Sequence, residues 1–220
     1  MMRIIQISGK GRVGKTTLAH LIAKYSFDLG YIPVMLPFAD GIKKLAAAQG
    51  ITKESDSSAY RDFCQNIGAT KRAEDPDFWV TKAYEAIQEY MVKEIDNKTA
   101  KKTNYEYVII QDDVRYMNEL AFGRELVATQ LFLSQGIRKL EEHTASWRNH
   151  ESEVMANQIE ANLLIPSKQA DAEEPFDIII QNDGDLQDLE YIVKNALEYW
   201  LDLGYLELEE YNDDANNSDS

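Results

Sequence analysis

The nine residues "GKGRVGKTT", Gly9–Thr17, restrict this chain more than any other stretch. They match G-x-x-x-x-G-K-[ST], a loop whose glycines let main-chain N–H groups turn inward around a phosphate. Such a loop works only between a strand and a helix, and both are legible here. "RIIQIS", 3–8, is a short apolar run that predicts a buried strand. Leu18, Leu21, Ile22, Tyr25 and Leu29 recur at helical spacing over 15–29, and Gly30 stops that helix. In this setting Gly9, Lys10, Gly11, Arg12, Val13 and Gly14 form the cradle. Lys15 reaches the β- and γ-phosphates, the Thr16 hydroxyl ligates Mg²⁺, and Thr17 continues into a helix whose N-terminus favours anions.

The rest of the chain alternates in the same manner. "YIPVMLPF", 31–38, predicts a second strand, with Pro33 and Pro37 confined to its start and end. Residues 40–100 hold no further strand and read as helices, the last opening with Asp75 as N-cap and Pro76 at the first helical position. The stretch 97–104, "NKTAKKTN", reads as a polar basic loop. "YEYVIIQDD", 105–113, predicts a third strand, followed by a short helix in "YMNELAFGREL" and a strand in "ATQLFLSQ". Residues 138–174 are polar, with helical potential around 150–162. "FDIIIQND", 176–183, predicts the last strand. Over 186–203, Leu186, Leu189, Ile192, Val193, Ala196, Leu197 and Trp200 share one helical face. The pattern predicts an α/β fold with a doubly wound parallel sheet.

Composition excludes several classes. A formal net charge of −15 argues against a nucleic-acid polymer as partner, which needs a basic face. No apolar run reaches 18 residues, so no spanning helix and no membrane partner are expected. The short, interrupted apolar start predicts no secretory signal, and a single cysteine, Cys64, makes no internal disulfide. A cytoplasmic protein is expected. Residues 206–220 are acidic and of low complexity and read as a disordered tail.

Asp112 and Asp113 end the third strand, where α/β sheets place their ligands, and both are candidate Mg²⁺ ligands. Arg115, two residues on, has the fork geometry to clamp a phosphate. Arg61, Lys71, Arg72, Arg138, Lys139 and Arg148 fall in the two segments that interrupt the sheet; phosphoryl transfer needs such cations, although most arginines are surface arginines. "HESEV", 150–154, lacks the second histidine of a zinc motif. Tyr60, Phe63, Phe78, Trp79 and Tyr84 read as core aromatics more than as a base-stacking surface.

In order along 5–193, "GKGRVGKTT", "PFADGIKKLAAA", "YRDFCQNIGATKR", "DPDFWV", "QDDVRYMNE", "NHESE" and "IIQNDGDLQDL" resemble the phage-type deoxynucleoside monophosphate kinases, within the P-loop nucleotide kinases. The resemblance implies a three-layer P-loop kinase fold with a central parallel five-stranded sheet in a single domain, 1–205. Its core would be 1–37, 105–137 and 175–205, with an acceptor-binding insertion at 38–104 and a lid at 138–174. It implies transfer of the γ-phosphoryl of ATP, with Mg²⁺, to a small-molecule nucleoside monophosphate. Lys15, Asp40, Arg115, Arg138 and Arg148 would be catalytic, the last two from the lid. Phe38, Asp40, Lys43, Arg61, Lys71, Arg72, Trp79, Asp113, Arg115, Asn118 and Glu119 would bind the acceptor. Asn182 and Gly184 would lie near the donor adenine. The resemblance further implies a bacteriophage source, hence the host cytoplasm, and leaves a homodimer open. The lid aligns poorly with the family, and Tyr116-Met117 stand where Phe-Pro is usual.

Two other readings remain. The loop is one residue, Arg12 for Gly, from the "KGG-V-GKTT" run of partition-type switch ATPases, and Lys10 sits where that family keeps a lysine. Its second strand usually ends D-x-D, however, and here the strand ends "VMLPFADGIKK". A P-loop kinase for another phosphorylated acceptor is the third reading.

Overall fold

Seven consecutive buried residues make the first strand, β1 (Met2–Ser8), central to its sheet. The computed structural model describes residues 2–52, 57–101, 105–134, 156–157, 176–203 and 205–206. After β1 come α1 (Lys15–Asp28), β2 (Tyr31–Met35), α2 (Asp40–Ala48), α3 (Ser57–Glu74), α4 (Phe78–Lys101) and β3 (Glu106–Val114). Then follow α5 (Met117–Glu125), β4 (Thr129–Ser134), β5 (Ile178–Gln181), a last helix α6 (Leu186–Leu203) and a short β6 (Tyr205–Leu206). Strands β2-β3-β1-β4-β5 pair in that order and all in parallel. Residues on alternate sides of each strand go to opposite faces. On one face Ile5, Ile7, Val108, Ile110, Leu131 and Leu133 pack with Leu18 and Ile22 of α1 and Val193, Leu197 and Trp200 of α6. On the other, Ile4, Ile109 and Phe132 pack with Leu120 and Phe122 of α5 and Ala83 and Ile87 of α4. The protein is thus an α/β fold with helices on both faces of a parallel sheet. No helix among the described residues is long and apolar enough to cross a membrane.

Several expectations need correction. Helix α4 starts at Phe78, not Pro76, because Asp75 accepts the Asp77 N–H (3.0 Å) in a turn that delays the helix by two residues. The same helix runs on through Lys101, so 97–101 are helical rather than loop. β6, which includes Leu206 from the expected tail, adds an antiparallel pair to Met2 and Arg3 beyond the five parallel strands. Pro33 lies in the middle of β2; an edge strand with one neighbour tolerates the missing donor. Leu29 and Leu186 end up 41% and 58% exposed, each at the end of its helix, where the apolar face has run past the sheet.

Candidate functional site

The loop after β1 closes on itself. Gly9 has φ +140°, and a Cβ there would lie 2.3 Å from the Leu133 carbonyl oxygen, so only glycine fits. Gly14, at φ +104°, is the N-cap of α1, and the first turn of that helix carries no acidic residue. The positive end of such a helix favours an anion. Lys15 is buried, and its ammonium donates to the carbonyls of Gly9 and Lys10, both at 2.7 Å. Asn182, expected near an adenine, donates its side-chain amide to the Val13 carbonyl (2.8 Å) and so braces the loop from the end of β5. Gly184 is exposed in the turn before α6. Thr16 and Thr17 are exposed at the start of α1.

The Thr16 hydroxyl donates to Asp112 Oδ2 at 2.8 Å, across 96 residues of sequence. That contact brings together the two expected metal ligands, Thr16 and Asp112. Asp113 does not join them. It is one residue on, hence on the opposite side of β3, and its two oxygens accept the main-chain N–H groups of Phe38 and Ala39, both at 2.8 Å. The adjacent carboxylates thus divide their work: one faces the loop, the other pins the entry to α2. Burial, reinforced by the Asp112 charge, raises the Asp113 carboxyl above the usual aspartate range, against the two N–H donors and Lys43, which lower it.

The insertion docks on the other side of Asp113. Asp40 opens α2 and pairs with Lys44 (3.2 Å). Phe38 is buried edge-on to Phe122. Trp79 is 2% exposed and donates its indole N–H to the Gly68 carbonyl (3.2 Å), locking α3 to α4; it is core, not a base-stacking surface. Lys71 pairs with Glu74 (2.7 Å) and lies over the Phe78 ring. Lys43 and Arg61 are exposed on α2 and α3. Tyr60 and Phe63 are half-buried on α3, and Tyr84 stands edge-on to Phe122. Arg138, Arg148 and "HESEV" lie outside the described residues.

Arg115 and Tyr116 join β3 to α5. Both donate their main-chain N–H groups to Glu119 Oε2, at 2.7 and 3.1 Å. The Arg72 guanidinium approaches Glu119 Oε1 at 3.4 Å and lies 3.9 Å above the Tyr116 ring. Asn118 donates to the Pro76 carbonyl and to Asp77 Oδ1, both at 2.9 Å. Glu119 is 2% exposed, and burial pushes its carboxyl up to about 7, against the opposing pull of the Arg115 N–H and of Arg72.

Sequence reasoning missed a row of buried glutamines beneath this cluster. Gln111, Gln6 and Gln130 lie side by side in register across β3, β1 and β4. Gln6 donates to Gln111 Oε1 (2.9 Å) and the Glu119 carbonyl (3.2 Å); Gln130 donates to Gln6 Oε1 (3.1 Å) and the Leu120 carbonyl (2.6 Å). They moor the start of α5. Their signal was visible as a glutamine interrupting an apolar run in "RIIQIS", "YVIIQ" and "ATQLF".

No family model matches the chain, and no curated protein matches it. The likeness to nucleotide kinases therefore stands on its motifs alone.

Proposed function

We propose that the chain is a P-loop kinase that transfers the γ-phosphoryl of ATP to a (deoxy)nucleoside 5′-monophosphate, giving the diphosphate and ADP. The observation that carries this reading is the Thr16–Asp112 contact at 2.8 Å, next to Lys15 at the N-terminus of α1. A hydroxyl and a carboxylate are the hard oxygen donors that suit Mg²⁺, which takes few protein ligands and fills its shell with phosphates and water. The donor set therefore fits Mg²⁺, and the glycine loop with its lysine fits a polyphosphate. When bound, the ion would neutralise phosphate charge and orient the donor.

In this reading Lys15 exchanges its two carbonyl partners for phosphate oxygens. Arg115, fixed by Glu119, clamps the acceptor phosphate, and Asp40 faces it from α2. An acceptor phosphate is already an anionic nucleophile, so positioning and charge neutralisation supply the catalysis and no strong base is needed. Closure of the inserted helices over the sheet would exclude water and suppress hydrolysis.

The test is direct: incubate the protein with ATP, Mg²⁺ and each nucleoside monophosphate, and follow diphosphate formation. Formation dependent on one or more monophosphates is expected. ATP turnover that needs DNA but no monophosphate would instead identify a switch ATPase.

A further inference from the structure

The reading above gives Arg115 the acceptor phosphate but leaves Arg72 and Glu119 without distinct tasks. Their geometry supplies one. Glu119 uses a single oxygen, Oε2, to hold the main-chain N–H groups of Arg115 and Tyr116, while its other oxygen faces Arg72. Arg72 belongs to α3 in the inserted helices; Glu119 belongs to α5, which is moored to the sheet through Gln6 and Gln130. The Arg72 guanidinium also covers the Tyr116 ring at 3.9 Å. One side chain of the insertion therefore touches both members of the pair that sets the path of the main chain at Arg115.

We infer that Arg72 and Glu119 are positioning residues for Arg115, which transmit the placement of α3 to the acceptor-phosphate clamp. The inference rests on the proposed role of Arg115, but the linkage it describes is measurable without turnover. Arg72 favours the charged form of Glu119, in which the two N–H bonds are charge-assisted, roughly twice as strong as neutral ones. With Arg72 withdrawn, the buried carboxylate loses the cation beside Oε1 and takes up a proton more readily. Both N–H bonds then weaken and the Arg115 backbone loosens. Among the described residues, the groups that face Glu119 are Asp113 from β3, which favours protonation, Arg72 from α3 and the Arg115 and Tyr116 N–H groups, which oppose it, and the neutral Gln6 from β1.

The experiment is a pH titration of the Arg115 and Tyr116 amide resonances by NMR on the full chain. In the wild type both should titrate together, with a midpoint near 7. Arg72→Ala should move that midpoint upward. Arg72→Lys, which keeps the charge without the planar stack on Tyr116, should fall between the two. Glu119→Gln should leave both amides flat, since its oxygen can still accept both N–H groups but no longer titrates. Amides that do not titrate in the wild type, or a midpoint unchanged in both Arg72 variants, would overturn the inference. In turnover, Arg72→Ala should raise the monophosphate KM about tenfold and leave the KM for ATP alone. A fall in kcat with the monophosphate KM unchanged would also overturn it. A wild-type chain that phosphorylates no monophosphate while its amides titrate as described would defeat the kinase reading and leave the linkage standing.

Discussion

The two halves of the site are built by different means. The loop after β1 is held partly from within, the Lys15 ammonium bonding carbonyls five and six residues before it, and partly by the sheet, with Gly9 against Leu133, Asn182 on the Val13 carbonyl and Asp112 on Thr16. The acceptor side is held by side chains that reach across the sequence. Asp113 pins residues 74 and 75 positions away, Arg72 meets Glu119 across 47, and Asn118 meets the α3–α4 turn across 41 and 42. The loop's ties come from the loop and its own sheet and need no contact from the inserted helices. The acceptor surface exists only when the inserted helices are docked, and can respond to where they sit. Under the proposed kinase reading, the difference would suit a donor pocket that is always ready and an acceptor pocket that closes on its substrate.

The largest expected effect is at the loop. Under the proposed reading Lys15→Ala should cut transfer by ~10²–10³-fold or more with the circular dichroism spectrum unchanged, since it removes a cation that would face the moving phosphoryl group. Gly9→Ala tests the rigidity of the same half. It forces a side chain into φ +140° and against the Leu133 carbonyl, and should cost about 3 kcal/mol in denaturant unfolding. On the acceptor side, Asp113→Asn should cost less, about 1–2 kcal/mol. It sets an amide N–H group against one of two main-chain donors while relieving a buried charge, and it should weaken monophosphate binding more than ATP binding.

The Glu119 carboxyl predicts a pH dependence. Its folded value, about 7, lies above the ordinary glutamate value of 4.5, so the folded state binds the proton more tightly than the unfolded chain. Relative to Glu119→Gln, wild-type stability should be unaffected below about 4.5, fall as pH rises from there to about 7, and stay level above. A loss of roughly 3 kcal/mol across that window is the upper limit. Parallel stability–pH curves for the two proteins would show that burial does not penalise this charge. The smallest effect is expected for Asn118→Ala, whose two bonds are exposed: about 1 kcal/mol or less in stability and a few-fold rise in the monophosphate KM.

The same contrast explains what could be read from the sequence. The loop, its flanking strand and helix, and the five parallel strands are local patterns of period, glycine and charge, and they stand where "RIIQIS", "GKGRVGKTT" and "FDIIIQND" indicate. Asp112 and Asp113 were indistinguishable as two acids at a strand end; only strand alternation, combined with the path of the 38–39 loop, assigns one to Thr16 and the other to main-chain N–H groups. Trp79 and Asn182 show what a motif leaves unsaid. The motif singles out both residues but says nothing of their protein partners: the indole locks α3 to α4 and the amide braces the loop. The start of α4 was missed by two residues because an aspartate two positions before Asp77 competes for its N–H, a choice that depends on local geometry.

Separate binding measurements test the central claim most directly. Calorimetric titrations with an Mg²⁺-bound, non-hydrolysable ATP analogue and with the accepted monophosphate should be run on the wild type, Lys15→Ala and Arg115→Ala. Two independently built half-sites predict that Lys15→Ala loses the ATP analogue and keeps the monophosphate, and that Arg115→Ala does the reverse. Loss of both ligands together in each variant, or binding of neither ligand by the wild type, would contradict it.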